Sequence, residues 1–458
     1  MKNYAIVLAA GKGTRMKTDL PKCAFPILKK PMIEYIYENI EQSVIDETTV
    51  VVGYQKEVLM DVLGDRVNYV EQAVQKGTGH AIMACKEALG KKRGTTIIML
   101  GDMPLVDYKV INKVMNYHSD KDNDLTVLTT RYQQPKGYGR IIRNEYGNIE
   151  AIVEHNDCTF EQKKINEVNT GIYVVSNSVL FKEVEKIELN QRKQEYYLTD
   201  IVKVMKDQDY RVDTFELWDS EKVMGVNDLY SVSIAERYLR NEINKMHMLN
   251  GVSIVTPETV TIGHNVTIEN NVTIYPNTYI TGNTVIKSGS KIGPNTEIHH
   301  SLIHHNVRVL HSLVFDSEIH SDAVVGPFAH LREHAVIGER NRIGNFVEIK
   351  KSTIGDDTKA SHLAYIGDTT TGCGVNFGCG SITVNYDGVK KHQTKIGDDV
   401  FIGCNTNLIA PVEVGDRVFI AAGSTVTKNV PAGALAIARN RQINKADYAK
   451  NLITPKTE

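Results

Sequence analysis

Isoleucine recurs at every sixth position from Ile262 to Ile298, through Ile268, Ile274, Ile280, Ile286 and Ile292. An α-helix repeats its faces every 3.6 residues, so this spacing is not helical. It is compatible with strand alternation, but one unbroken strand of this length is implausible. A short repeat of this kind predicts a solenoid, in which each unit buries its apolar residue against its neighbours. With slips, the ladder runs on through Ile303, Val309, Val314, Ile319, Val325, Leu331, Ile337, Ile343, Ile349 and Ile354. It resumes at Ile366, Gly372, Gly378 and Val384, then at Ile396, Ile402, Leu408, Val414, Ile420 and Val426.

Glycine often follows the apolar residue, as in Ile262-Gly263, Ile354-Gly355 and Ile402-Gly403. Gly or Asn at repeating offsets suits corners that need positive φ or close backbone approach. Six extended residues span roughly 20 Å, enough for one flat face between corners. The prediction is a triangular parallel β-helix with a stack of Ile and Val inside. The alternative, a β-sandwich, has strands of unequal length and no fixed period. The pattern resembles the hexapeptide-repeat acyltransferases, and that resemblance implies a left-handed winding.

The first half has a different rhythm. Apolar strand candidates at 4–10, 49–52, 95–100, 125–130 and 171–175 alternate with helical patterns at 32–43, 79–89 and 110–118. This alternation predicts a Rossmann-like α/β domain: a mostly parallel sheet with helices on both faces and ligands at the strand carboxyl ends. A charged amphipathic stretch carries Leu229, Val232, Ala235, Leu239 and Ile243 on one face, and Gly251 ends it. The expected organisation is therefore a domain over 1–228, a linker helix over 229–250 and a repeat domain over 251–458.

Composition removes some classes. A net charge of −2 over 458 residues provides no global field for nucleic acid or membrane. Six scattered cysteines without a C-x-x-C pair fit reduced cytoplasmic thiols. The apolar start, Ala5-Ile6-Val7-Leu8-Ala9-Ala10, is too short for a secretion signal and reads as a buried strand. No apolar run is long enough to span a bilayer.

The first strand leads into Gly11-Lys12-Gly13-Thr14-Arg15-Met16, and Pro21-Lys22 follows. The glycines let backbone N–H groups approach a phosphate, and Arg15 adds charge. It is not a Walker loop, because no Gly-Lys-Ser/Thr follows, and Met16 stands where a dinucleotide fingerprint has its third glycine. The whole segment, G-x-G-T-R-M-x-x-x-x-P-K, resembles the signature of sugar-1-phosphate nucleotidyltransferases. In order along the chain come Gln72, Gly77-Thr78, Leu100-Gly101-Asp102, Tyr138-Gly139-Arg140, Val153-Glu154-His155, Asn169-Thr170-Gly171 and Val226-Asn227. Leu100 departs from the tyrosine common in relatives. The resemblance implies Mg²⁺ on Asp102 and Asn227, phosphates at Arg15 and Lys22, and uracil at Gln72, Gly77 and Thr78. It implies an N-acetylhexosamine at Gly139, Glu154 and Asn169, with Leu8, Ala9, Ala10 and Gly11 also lining the UDP-sugar site. The types suit the task, since joining two polyanions needs hard oxygen ligands for a cation and fixed positive charge.

In the repeat half, His299, His300, His304, His305, His311 and His320 cluster early. A metal site is one reading, but no Cys or carboxylate accompanies them at a fixed ligand spacing, and solvated corners are the reading favoured. The later segments carry more. They include Arg332, Lys350, Ser361-His362-Leu363-Ala364-Tyr365, Asn376, Cys379, Asn385-Tyr386, Cys404, Ala422 and Arg439. Residues 385–395 break the ladder, and an insertion in a solenoid usually serves binding.

These segments, together with the first half, resemble the bifunctional N-acetylglucosamine-1-phosphate uridyltransferase/glucosamine-1-phosphate acetyltransferase family over nearly the whole chain. That resemblance implies a sugar phosphate held by Arg332 and Lys350, and a sugar held by Tyr365 and Asn376. His362 is implied as general base, which suits an imidazole titrating near neutrality. Cys379, Asn385, Tyr386, Cys404, Ala422 and Arg439 match acetyl-CoA positions. Relatives often carry Ala and Ser where Cys379 and Cys404 stand. The substrates implied are glucosamine-1-phosphate, N-acetylglucosamine-1-phosphate, UTP and acetyl-CoA, and the assembly implied is a homotrimer. Two rivals stand beside this reading: a single-function nucleotidyltransferase whose β-helix only oligomerises, and a non-catalytic assembly subunit.

Overall fold

The computed structural model describes residues 2–452 and divides the chain into two compact units, Met1–Leu239 and Arg240–Glu458. In the first unit a central sheet runs in the order Val212–Glu216, Leu125–Arg131, Glu167–Ser176, Gly94–Leu100, Lys2–Leu8, Glu47–Val52 and Asn68–Glu71. Lys2–Leu8 pairs in parallel with both of its neighbours. Alternation along this strand sends Ala5 and Val7 into one apolar cluster and Tyr4 and Ile6 into the other. Each face of the sheet is thus covered, as a parallel sheet requires.

One strand runs against the grain. Glu167–Ser176 is antiparallel to both Gly94–Leu100 and Leu125–Arg131, and its register shifts between Asn169 and Tyr173. The helix Leu229–Leu249 ends the unit: Val232 and Ala235 pack with Met16, Met32, Leu105 and Val226.

In the second unit Ile262 lies opposite Ile280, which lies opposite Ile298. Ile268 lies opposite Ile286, and Ile274 opposite Ile292. Partners eighteen residues apart mean that three six-residue repeats complete one coil, which makes the coil triangular. All seven isoleucines are buried in one apolar column, and all but Ile268 completely. This is the parallel β-helix expected from the periodicity. Its slips are shortened corners: Ile303 faces Ile319 only sixteen residues on.

Corner chemistry divides in two. Among non-glycine residues the left-handed backbone falls on Asn and Asp more often than on any other type, including Asn277, Asn295, Asp322, Asp357 and Asn405. Gly293 and Gly326, after Ile292 and Val325, also have positive φ, whereas Gly338, Gly355, Gly403 and Gly415 serve close approach instead. A Cβ on Gly403 would lie 2.4 Å from the Ala422 nitrogen, and one on Gly355 2.2 Å from the Gly372 oxygen. The insertion folds as a small hairpin bridged between Tyr386 and Lys391. Asp387 accepts from the backbone N–H groups of Lys390 and Val389 and pairs with His392 at 2.6 Å. Those bonds hold its carboxyl down at about 2.

At the start of the second unit Asn244 donates to the carbonyls of Pro257 and Val260. Among the described residues, no helix is long and apolar enough to cross a membrane.

Candidate active sites

A cleft of about 650 Å³ opens at the carboxyl ends of the parallel strands in the first unit. It gathers Leu8, Ala9, Ala10, Gly11, Arg15, Lys22, Gln72, Gly77, Thr78, Asp102, Gly139, Glu154, Asn169 and Asn227, the residues to which the resemblance gives a role in that half. Gly13 has φ 67°, and a Cβ there would lie 2.5 Å from the Lys22 Cβ, so the loop can turn over Lys22 only with glycine. Met16 is buried and anchors the loop from below. That packing explains a large apolar residue where a dinucleotide loop would carry glycine.

Asp102 follows the strand Gly94–Leu100, and its carbonyl accepts from Val226 N–H at 2.8 Å. This bond brings Asn227 alongside. Lys22 Nζ bonds both Asp102 Oδ2 and, at 2.6 Å, Asn227 Oδ1. Arg15 also donates to Asn227 Oδ1, at 2.6 Å. Asp102 Oδ1 is buried and accepts no hydrogen bond. A carboxylate and an amide oxygen converging on one cation, with a further oxygen idle, form a donor set that fits Mg²⁺.

The rest of the cleft is shaped by burial. Desolvation raises the pKa of Glu154, and a hydrogen bond from the Thr199 hydroxyl at 3.1 Å works against it. Gln72 Nε2 donates to the Gly77 carbonyl at 3.0 Å, leaving its amide edge fixed beside Thr78. Cys23 lines the cleft, yet burial, with the Asp102 charge adding to it, pushes its thiol up to about 12. Sequence reasoning missed Glu195 and Tyr197, which also line the cleft. The neighbouring backbone closes on the Gly77-Thr78 loop: Gly79 N–H donates to the Tyr196 carbonyl, and Leu198 N–H to Thr78 Oγ1. No charge pattern or repeat marks that segment.

In the second unit the coil geometry sorts the singled-out residues by rung. His330, Glu348 and Tyr365 are successive partners, as are Arg332, Lys350 and Gly367. Arg332 is held by Glu348 at 2.6 Å and by Glu333 at 2.6 Å, and Lys350 lies 3.3 Å from Glu333. Lys391, on the inserted hairpin, contacts Lys350, and that contact and its like charge lower the Lys391 pKa. Three cations therefore crowd one place. Asn385 donates to the Tyr365 hydroxyl at 3.4 Å, tying the insertion to the same rungs. Glu333 and Glu348 were not legible from sequence because coil register sets their partners, and Lys391 because the fold of the insertion does.

His362 lies two residues past Ala360, which faces Phe377; Phe377 faces Ile402, and Ile402 faces Ile420. Two residues past each of these stand Cys379, Cys404 and Ala422. All four thus share one corner column, and Arg439 reaches within 3.6 Å of a Cβ built on Gly423 beside it. His362 is exposed, and its Nδ1 lies 2.9 Å from Asn345 Oδ1. A carbonyl acceptor at Nδ1 selects the Nδ1–H tautomer and leaves Nε2 as the basic nitrogen. Asn376 pairs beside Lys359 and Phe401, one face of the triangle away from Tyr365. The structure does not bring those two together within one chain.

A nucleotide-type cleft on one unit and a hexapeptide coil on the other define a two-domain transferase. Residues 4–221 match the family model described as "Nucleotidyl transferase". Residues 265–300, 316–351 and 393–428 match "Bacterial transferase hexapeptide (six repeats)", and 251–276 match "Hexapeptide repeat of succinyl-transferase". The "Bifunctional protein GlmU" of Acholeplasma laidlawii is 60% identical over 456 residues, covering 100% of this chain and 99% of that protein. The proteins of the same name from Listeria welshimeri and Halalkalibacterium halodurans are each 45% identical. They cover 98% and 97% of this chain, and 99% and 98% of their own lengths. The chain belongs to the family of bifunctional GlmU proteins.

Proposed function

We propose that this chain makes UDP-N-acetylglucosamine in two steps, with the residues of each unit in the roles that follow. It is both a glucosamine-1-phosphate N-acetyltransferase and a UDP-N-acetylglucosamine diphosphorylase. In the first step Arg332 and Lys350, joined by Lys391, hold the sugar phosphate, while Tyr365 and Asn376 orient the sugar. His362 Nε2 takes a proton from the sugar ammonium. The free amine attacks the thioester carbonyl of acetyl-CoA, an amide bond forms, the C–S bond breaks, and the CoA thiol leaves with a proton. The column of Cys379, Cys404 and Ala422, with Arg439 and the Asn385-Tyr386 hairpin, holds acetyl-CoA.

In the second step a phosphate oxygen of N-acetylglucosamine-1-phosphate attacks the α-phosphorus of UTP, and pyrophosphate leaves. Leu8 to Gly11, Gln72, Gly77 and Thr78 hold the uridine end, and Gly139, Glu154 and Asn169 the sugar end. Mg²⁺, held by Asp102 and Asn227, would supply positive charge against the developing charge on the phosphates. Lys22 and Arg15 occupy those oxygens in the structure and would turn to the phosphates as a cation took their place.

The placement of Asn376 one face from Tyr365 favours an acetyl-transfer site completed by a second copy, and hence a homotrimer. The free cysteines and the substrates together favour the cytoplasm. The single observation that carries the two-step reading is the corner column with His362 at its head, since a purely structural coil has no use for a tautomer-fixed imidazole there. The test is sequential. Acetyl-CoA and glucosamine-1-phosphate should release free thiol, and later addition of UTP and Mg²⁺ should release pyrophosphate. Pyrophosphate only when N-acetylglucosamine-1-phosphate is supplied would favour the single-function rival.

A further inference from the structure

The β-helix carries a cluster that neither reaction uses. Leu302 and Ile303 pair with Glu318 and Ile319 on the next coil. Ile303 and Ile319 point into the core, so the residues flanking them point out. His304 and His320 therefore occupy the same outward position on neighbouring rungs. His304 N–H donates to the Ile319 carbonyl, and the two imidazoles stack at 4.7 Å with planes 12° apart. Glu318 points out beside His320, and its Oε1 lies 2.8 Å from His304 Nε2 and 3.3 Å from His320 Nε2. The three ligand atoms all lie within 4.8 Å of one another. The sequence alone showed no carboxylate at ligand spacing. The sixteen-residue coil supplies one, because it places Glu318 across the rung from Leu302 and against both histidines.

We propose that His304, Glu318 and His320 form a binding site for a borderline divalent transition-metal ion of the Zn²⁺ class. A tetrahedral ion with ligands at about 2.0–2.2 Å holds its ligand atoms about 3.3–3.5 Å apart. The Glu318–His320 spacing already fits; His304 would withdraw from Glu318 by about half an ångström, and the two stacked imidazoles, 4.7 Å apart, would tilt toward each other, as half-buried side chains can. Two imidazole nitrogens and one carboxylate oxygen suit such an ion, whereas Mg²⁺ prefers oxygen throughout.

The surrounding rungs agree. Lys287 precedes His304 in the stack, but its ammonium is drawn back to Glu269 at 2.9 Å. Gly338 follows His320 in the stack, since Ile337 faces Ile319, so no side chain from that rung covers the histidine. Water completes the coordination there. Because the ligands come from two successive coils, the ion would tie one coil to the next.

The test uses the full chain with Mg²⁺ in excess, so that the Asp102–Asn227 oxygens are occupied. Calorimetric titration with Zn²⁺ should show one ion bound per chain through this cluster. Glu318→Gln, which keeps the side-chain shape, and His304→Ala should each weaken that binding by about ten-fold or more. Co²⁺ in place of Zn²⁺ should give visible d–d bands without a near-ultraviolet thiolate band. Both variants should retain acetyl transfer and unchanged circular dichroism. Unaltered Zn²⁺ stoichiometry and affinity in both variants would overturn the site. So would a thiolate band that both variants retain, or failure of the unmodified chain to bind Zn²⁺ at millimolar concentration.

Discussion

His362 and Asn345 face each other across one rung of the coil, imidazole Nδ1 to amide oxygen at 2.9 Å. His362→Ala should lower acetyl transfer by roughly 10²–10⁴-fold, the range for removing a general base. Mildly alkaline pH should restore part of the rate by supplying free amine. Asn345→Ala should cause a smaller loss, in kcat more than in KM for acetyl-CoA, because it frees the tautomer and leaves the pocket. Thiol-release kinetics across pH check both, and an unchanged rate in His362→Ala would remove it from the mechanism.

Asp102 stands in a different unit from His362. Asp102→Ala should lower uridylyl transfer by several kcal/mol of transition-state stabilisation, on the order of 10³-fold or more. Acetyl transfer should be untouched. Pyrophosphate and thiol assays on one preparation separate the effects, and joint loss in a folded variant would contradict two independent sites.

Gly355→Ala and Gly403→Ala both force a Cβ against the backbone of the next coil. Each should destabilise the β-helix by about 1–3 kcal/mol, as overpacking does. Only Gly403→Ala should also weaken acetyl-CoA binding, because the atom it strikes belongs to Ala422. Denaturant midpoints paired with acetyl-CoA titrations compare the two.

His118 is buried in the first unit, with Nδ1 3.0 Å from Thr126 Oγ1. Burial lowers its pKa from 6.5 to about 4. A depressed histidine is neutral in the folded state while the unfolded chain takes up a proton. Its contribution is therefore complete above pH 6.5 and is lost as pH falls toward 4, up to roughly 3 kcal/mol in all. Thermal unfolding of His118→Gln should show a shallower fall in midpoint across that window than the unmodified chain.

Fragment boundaries should matter in a definite way. Val232 and Ala235 are buried against Met16, Leu105 and Val226, so a fragment 1–239 should be more stable than 1–228 by about 2–4 kcal/mol. Fragment 240–458 should likewise exceed 251–458, since it keeps Asn244 on the carbonyls of Pro257 and Val260. Both of the longer fragments should keep their own activity. Light scattering should find 240–458 trimeric, and a fully active monomer would refute a site shared between copies.

What the chain made readable follows from which forces act locally. The ladder was legible because from Ile262 to Ile298 each repeat buries an isoleucine at the same offset. The cleft residues were legible because short motifs carried them. The reversed direction of Glu167–Ser176 was not, since alternation is identical in parallel and antiparallel strands. Glu333, Glu348 and the partnership of Glu318 with His304 and His320 were hidden for one reason. Each depends on which residue sits one coil away, and coils of sixteen, seventeen and eighteen residues shift that partner.

The insertion is shorter than the broken periodicity suggested, 385–393, and it leaves the ladder undisturbed on either side: Thr383 still faces Leu408, and Thr370 still faces Lys395. Its turn is secured by its own Asp387 and His392. A corner of this coil is thus a place where evolution can add chemistry without renegotiating the core. Lys391 and Asn385 reach Lys350 and Tyr365 from such an appendage. Specificity in this half of the enzyme can therefore drift by lengthening or rewriting a corner, while the column of isoleucines stays as it is.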